Sequence, residues 1–276
     1  MAHRVDDELL ATVPGWLLPT DARLIRWFLG EQERLSVIGD LAEMGAYLGQ
    51  SAVLIGDYLN PGETFTVVDL FGHEADADGN RVENEQSYDG LTQAAFENNY
   101  LRVHRGALPT VVRGYSRAIV DHARLGTHRF VHVDASHLYE HVREDIAATR
   151  QLAQGDGVLV FDDISMAHTP GVAAAVWEAV TQEELNVIAV TPGKLYGTWS
   201  SADKWIGRLT GWLPTSGLLW ERQEIAGRPL VLVGTVTGPE PARVALRRGR
   251  AKRLALALTP PAATDAARQL RARRRG

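Results

Sequence analysis

From about Leu35 onward, short apolar runs alternate with stretches of helical spacing. LSVIGDLAEMG approaches as a strand, and SAVLIGDYL then places its apolar residues at helical intervals until Asn60-Pro61-Gly62 stops it. TFTVVDLF is apolar and β-branched, which predicts a buried strand. SYDGLTQAAFENNYL predicts a helix, and PTVVRGYSRAIVDHARLG a short strand and then a helix. RFVHVDAS, GVLVFDD, LNVIAVT and RPLVLVGTV predict four more strands. YEHVREDIAATRQLA and PGVAAAVWEAV predict helices between them, the second opened by Pro170. Strands alternating with helices predict an α/β fold: a doubly wound, mainly parallel, seven-stranded sheet covered on both faces.

Three regions break the alternation. Residues 1–36 read as a helical N-terminal extension carrying Trp16, Trp27 and Phe28. GHEADADGNRVEN, Gly72–Asn84, is polar and follows a strand end, so it reads as a mobile loop. Gly193–Trp220 holds Trp199, Trp205, Trp212 and Trp220, and reads either as an insert roofing a ligand site or subunit contact, or as packing on the sheet edge. The main domain is then 37–236, followed by a tail, 237–276.

Charge separates body from tail. The chain of 276 residues carries −5 overall. Eleven Arg and Lys against Glu240 and Asp265 make the tail about +9, leaving the body about −14. A basic tail can bind nucleic acid, but the acidic body would repel a polyanion, so the tail is read as solvated and flexible. The chain has no cysteine, which excludes disulfides, thiolate nucleophiles and cysteine-ligated zinc. No apolar run is long enough to span a membrane, and the start MAHRVDDELL is too acidic for a signal peptide, so a cytoplasmic location is expected.

In open α/β sheets, ligands bind at the carboxyl ends of the strands. The first strand there runs into Glu43-Met44-Gly45-Ala46-Tyr47-Leu48-Gly49-Gln50-Ser51, and the second ends at Asp69, twenty positions after Gly49. Glycines let a ligand approach the backbone, and an acidic residue at the second strand end can accept from ribose hydroxyls. Two glycines four apart are not the dinucleotide pattern G-x-G-x-x-G. The layout suits a nucleoside bearing an amino-acid carboxylate, although such a turn can also simply pack a helix on a strand.

EMGAYLGQSAVLIGDYL followed by GETFTVVDLF resembles the first two motifs of class I S-adenosylmethionine-dependent methyltransferases. The resemblance is greatest to metal-dependent O-methyltransferases such as catechol O-methyltransferase and the macrocin-type sugar O-methyltransferases, and spans roughly Leu35 to Val180. It implies that Glu43 and Gly45 line the methionine end of S-adenosylmethionine, that Tyr47, Gly49 and Ser51 cradle it, that Asp69 holds the ribose and Leu70 borders the adenine. Arg113-Gly114-Tyr115-Ser116 resembles the third motif, with Ser116 at the adenine edge.

Asp134 ends the strand Phe130–Asp134, and Asp162 and Asp163 end the next. Three gathered carboxylates repel one another and call for a cation; an all-oxygen set favours magnesium or another hard divalent ion. Aspartates at strand ends also cap helices and form turns. His137 follows Asp134 by three residues and is the candidate general base, or else a residue capping the next helix. Catechol-type relatives carry a lysine at the corresponding place, while sugar-modifying relatives use histidine there. His132, His141 and His168 are weaker candidates. The expected activity is metal-assisted methyl transfer to a hydroxyl of a sugar or natural-product small molecule, with Asp134 and His137 at the reaction and Asp134, Asp162 and Asp163 on the metal. A nucleotide-dependent oxidoreductase and a non-catalytic cofactor-binding scaffold are the alternatives. Exposed tryptophans in the extensions would suit a homodimer.

Overall fold

The computed structural model describes residues 5–72 and 91–236. The expected loop beyond Gly72 and the basic tail lie outside the described residues. Along the chain come α1 (Asp7–Leu10), α2 (Pro19–Arg34), β1 (Asp40–Met44), α3 (Gln50–Gly56), β2 (Phe65–Asp69), α4 (Gln93–Val103) and β3 (Thr110–Arg113). A 3-10 turn (Ser116–Asp121) leads to β4 (His128–Val133), α5 (Tyr139–Leu152), β5 (Ala153–Phe161), α6 (Pro170–Gln182), β6 (Asn186–Val190), β7 (Leu195–Thr198), α7 (Asp203–Ser216), β8 (Leu218–Ile225) and β9 (Arg228–Val236).

The described strands form one sheet of nine, in the order β3-β2-β1-β4-β5-β7-β6-β9-β8. The α/β fold expected from the sequence is present, with two strands more than the expected seven. β1 to β5 pair in parallel. β7 enters antiparallel between β5 and β6, and β8 closes the far edge as a hairpin on β9. Ala226 and Gly227 both have positive φ, as a two-residue hairpin turn of matching twist requires.

Strand alternation divides the core between two faces. Leu41, Phe65, Phe130 and Val160 point to one, where α2, α3, α4 and α7 pack; Ala42, Val131, Leu159 and Phe161 point to the other, where α5 and α6 pack. The N-terminal segment is integral to the first face. Leu24, Ile25, Phe28 and Leu29 of α2 are fully buried, and Phe28 stacks on Tyr196 of β7 with 5.2 Å between ring centroids. At roughly 1.5–3 kcal/mol for each such side chain, α2 alone contributes an amount comparable to a whole domain's margin of stability.

The four tryptophans of this stretch pack in or against the core rather than over a cavity. Trp205 is fully buried, Trp212 stacks on Trp27, and Trp199 lies under Arg150. None of its four tryptophans lines either of the two cavities described next. No described helix is long and apolar enough to cross a membrane.

Candidate active site

Pairing between strands continues past their ends and sets the site. Val133 of β4 pairs with Met44 of β1 and with Phe161 of β5, so the residues that follow each strand emerge side by side. The Asp134 amide donates to Met44 O at 2.7 Å, and the Asp162 amide to Val133 O at 2.9 Å. Gly45, Asp134 and Asp162 are therefore neighbours. Gly45 has φ +79°, and a Cβ there would lie 1.9 Å from the Asp134 carbonyl oxygen, so only glycine fits. Tyr47 and Gly49 also have positive φ, which turns the loop sharply before α3.

Two cavities open on this loop. The smaller, about 100 Å³, is bordered by Asp69, Leu70 and Ser116. The larger, about 650 Å³, is bordered by Ser51, His137, Asp162 and Asp163, and by Trp16, Leu17 and Leu18 of the N-terminal segment. Gly45, Tyr47 and Asp134 line both. Glu43 and Gly49 line neither: Glu43 lies behind the loop against His132, and Gly49 begins α3 against the Phe96 ring. For these two, the structure shows support of the loop.

Asp69 accepts from the amides of Ala46 (2.7 Å), Tyr47 (3.0 Å) and Phe71 (2.6 Å). Burial nevertheless holds its carboxyl above the ordinary carboxylate range, against the pull of those amides. It braces the glycine loop while facing the smaller cavity, with about one of its roughly four acceptor positions left for a ligand.

The carboxylates divide into two groups that share Asp134. Ligand atoms of Asp134, His137 and Asp163 lie within 4.8 Å of one another, as do those of His132, Asp134 and Asp162. Asp134, Asp162 and Asp163 do not form one such set; Asp134 joins the two. Its position deep in the cleft, and then Asp162 beside it, push the Asp134 carboxyl well above the usual range. Burial would raise Asp162 as well, but the Lys194 ammonium outweighs it and holds Asp162 low. The two neighbouring carboxyls are thus pushed in opposite directions, Asp134 up and Asp162 down.

His137 is paired through Nε2 with Asp163 Oδ2 at 2.9 Å. Asp163 is itself fixed in a left-handed conformation, φ +58°, and its carbonyl accepts from Thr169 Oγ1. The N-cap of α5 is Leu138, so His137 is not capping that helix. His168 approaches His137 edge-on, 6.0 Å between ring centroids, and also lines the larger cavity.

Two participants, Lys194 and Asp21, were not among the residues singled out in the sequence, and His132 and Trp16 take parts not assigned to them there. Lys194, fully enclosed at the turn after β6, contacts Asp162 and reaches His132 Nε2 at 3.0 Å. His132 Nδ1 meets Glu43 Oε1 at 2.7 Å, so the buried histidine is an internal link between Glu43 and Lys194. Asp21 of α2 accepts from Thr191 Oγ1 and Tyr196 OH, both at 2.8 Å. Trp16 is 69% exposed and stacks on Tyr47 at 4.7 Å. A signal for Lys194 does exist in the sequence: it is a charged residue between a Pro-Gly turn and an apolar run, at the strand ends where ligands bind.

Residues 42–164 match the family model of a methyltransferase domain. That stretch contains every cofactor, metal and base candidate from Glu43 to Asp163. No curated protein sequence matches the chain. Among solved structures, the chain is similar to the O-methyltransferase NovP at 19% identity and a TM-score of 0.54, over 66% of this chain and 80% of that one. It is also similar to a protein from Corynebacterium glutamicum at 15% identity and a TM-score of 0.49, over 71% of this chain and 91% of that one. For CalS11, a calicheamicin methyltransferase, the values are 17%, 0.47, 70% and 90%. The glycine loop, the acidic end of β2 and the matched stretch agree: residues 42–164 are similar to a methyltransferase domain, on a fold that the chain shares with NovP.

Proposed function

We propose that this protein is an S-adenosylmethionine-dependent methyltransferase acting on oxygen, moving a methyl group to a hydroxyl of a sugar or natural-product small molecule, with a divalent cation at the carboxylate cluster. The observation that carries the reading is that Asp134 lines both cavities. The smaller cavity has nucleoside chemistry at Asp69, Leu70 and Ser116; the larger has base and carboxylates. A donor in one and an acceptor in the other would meet at Asp134. NovP, which shares the fold, is an O-methyltransferase, in agreement with this reading.

The residues present fit a hard cation. Burial and the neighbouring Asp162 both disfavour charge on Asp134, and a divalent ion is what would relieve that repulsion. Asp134 and Asp163, within ligand distance of each other, would hold it, and Asp162 would have to leave Lys194 to join them; magnesium suits oxygen donors. When bound, such an ion lowers the pKa of a hydroxyl and fixes its orientation. His137 takes the hydroxyl proton, and Asp163 on its Nε2 stabilises the imidazolium that results. Gly45 and Tyr47 hold the donor's reacting end against the acceptor cavity, and Trp16, Leu17 and Leu18 exclude water from one side of it. Alignment of this kind is worth on the order of 7–11 kcal/mol of barrier.

The test is incubation with methyl-labelled S-adenosylmethionine and a panel of glycosides, phenols and polyols, with mass-spectrometric detection of the labelled product. O-methylated product that disappears on chelation and returns with magnesium is expected. Labelled product on nitrogen, or full turnover in chelator, would contradict the reading.

A further inference from the structure

Lys194 occupies one of the two places where the carboxylates could hold a cation. Its ammonium contacts Asp162 and lies 3.0 Å from His132 Nε2, which are two members of the group His132, Asp134 and Asp162. An ammonium has only donors, so His132 Nε2 accepts from it, and His132 Nδ1–H then donates to Glu43. That tautomer leaves His132 Nε2 committed and unable to ligate a metal. Asp21 faces the same ammonium from α2: its Oδ1 is held by Thr191 and Tyr196, while its buried Oδ2 has no hydrogen-bond partner. A cation is thus built into this side of Asp134, and among the described residues lining the larger cavity Lys194 is the one Lys or Arg.

We propose that the Lys194 ammonium is a resident cation of the active site, which holds Asp162 and weakens the cluster's grip on a divalent ion. The inference rests on the reading of the cluster as a cation site. Lys194 is a positioning residue: it acts through Asp162 and His132 and touches no reacting atom. Like charges at this separation repel strongly where water is scarce. The ammonium therefore sets the ion's affinity low enough for it to exchange, and it biases the ion towards Asp163 and His137.

The experiment is titration of the metal-free full-length protein with Mn²⁺ alone, by calorimetry, for the wild type and Lys194→Met. Binding about tenfold tighter or more is expected in the variant. Unchanged or weaker binding in the variant, with clear binding by wild type, would overturn the proposal and leave the cation site standing. Binding by the variant alone would support the proposal and remove the divalent ion from the wild-type mechanism. Binding by neither would overturn both. Removing a buried charge can cost folding, so Lys194→Met with Asp21→Asn is the second variant. It deletes one positive and one negative charge together, and an asparagine there still accepts from Thr191 and Tyr196. It too is expected to bind Mn²⁺ more tightly than wild type, and equal or weaker binding would overturn the proposal.

Discussion

The two ends of the central strands are built on opposite electrostatic rules. At the amino ends of β1 and β4, the buried carboxylates and Arg129 have their partners, and His128 Nε2 is the buried polar atom left without one among the described residues there. Arg129 grips Glu63 with two bonds, Nε to Oε1 at 2.9 Å and Nη2 to Oε2 at 2.8 Å, and also donates to Gln32 Oε1 and Tyr58 O. Glu63 accepts in addition from the amides of Gly39 and Asn60, and these bonds hold its carboxyl low although burial works the other way. Asp40 accepts from Arg124, Thr127 and the Thr64 amide. At the carboxyl ends, Asp134 is held above its ordinary range, and buried oxygens of Glu43 and Asp21 have no hydrogen-bond partner. One end has its carboxylates and Arg129 paired and closes the fold. The other keeps unspent electrostatic potential, which a bound ligand can use.

The largest effect that would test this contrast is at the paired end. Arg129→Ala leaves Glu63 buried without a counter-ion and should cost about 3–5 kcal/mol of stability, read as a lower midpoint in urea unfolding. A loss under 1 kcal/mol would show that the pair is not the anchor described. At the other end, His137→Ala should lower kcat about 10²–10⁴-fold, with KM and the urea midpoint nearly unchanged. A large shift in the midpoint would mean that His137 belongs to the scaffold.

A smaller effect concerns acid. The partners of Asp40 outweigh its burial and hold its carboxyl at about 2, below the ordinary 3.8. A depressed carboxyl stabilises the fold above its unfolded pKa, and that contribution disappears as pH falls from about 4 towards 2. Because Arg124 is largely exposed, the contribution should be about 1 kcal/mol. Asp40→Asn should flatten the stability profile in that window, and an unaltered slope would assign the acid sensitivity elsewhere.

Much of the site was legible because it depends on chain-local rules. Alternating strands and helices put Gly45, Asp69, Asp134 and Asp162 at one end of a parallel sheet, and the glycine loop and His137 lie close to those strand ends in sequence. What escaped depends on distant parts of the chain. Asp21 meets Thr191 only because α2 packs across β6 and β7. Lys194 reaches Asp162 only because β7 inserts beside β5, and a four-residue strand with a polar lead carries too little pattern to predict that place. β8 was missed because its exposed residues, Glu221–Glu224, read as a polar loop and acquire strand form only by pairing with β9. The split of the three carboxylates follows from the same cause, since Lys194 draws Asp162 to one side while His137 draws Asp163 to the other.

The central claim is that the loop from Gly45 to Ser51, braced by Asp69, receives the methyl donor. Calorimetric titration with S-adenosylhomocysteine tests it most directly. The wild type should bind one equivalent, Asp69→Ala should bind at least about tenfold more weakly, and NADH should not compete. Equal affinity in the two proteins, or displacement by NADH, would contradict the account.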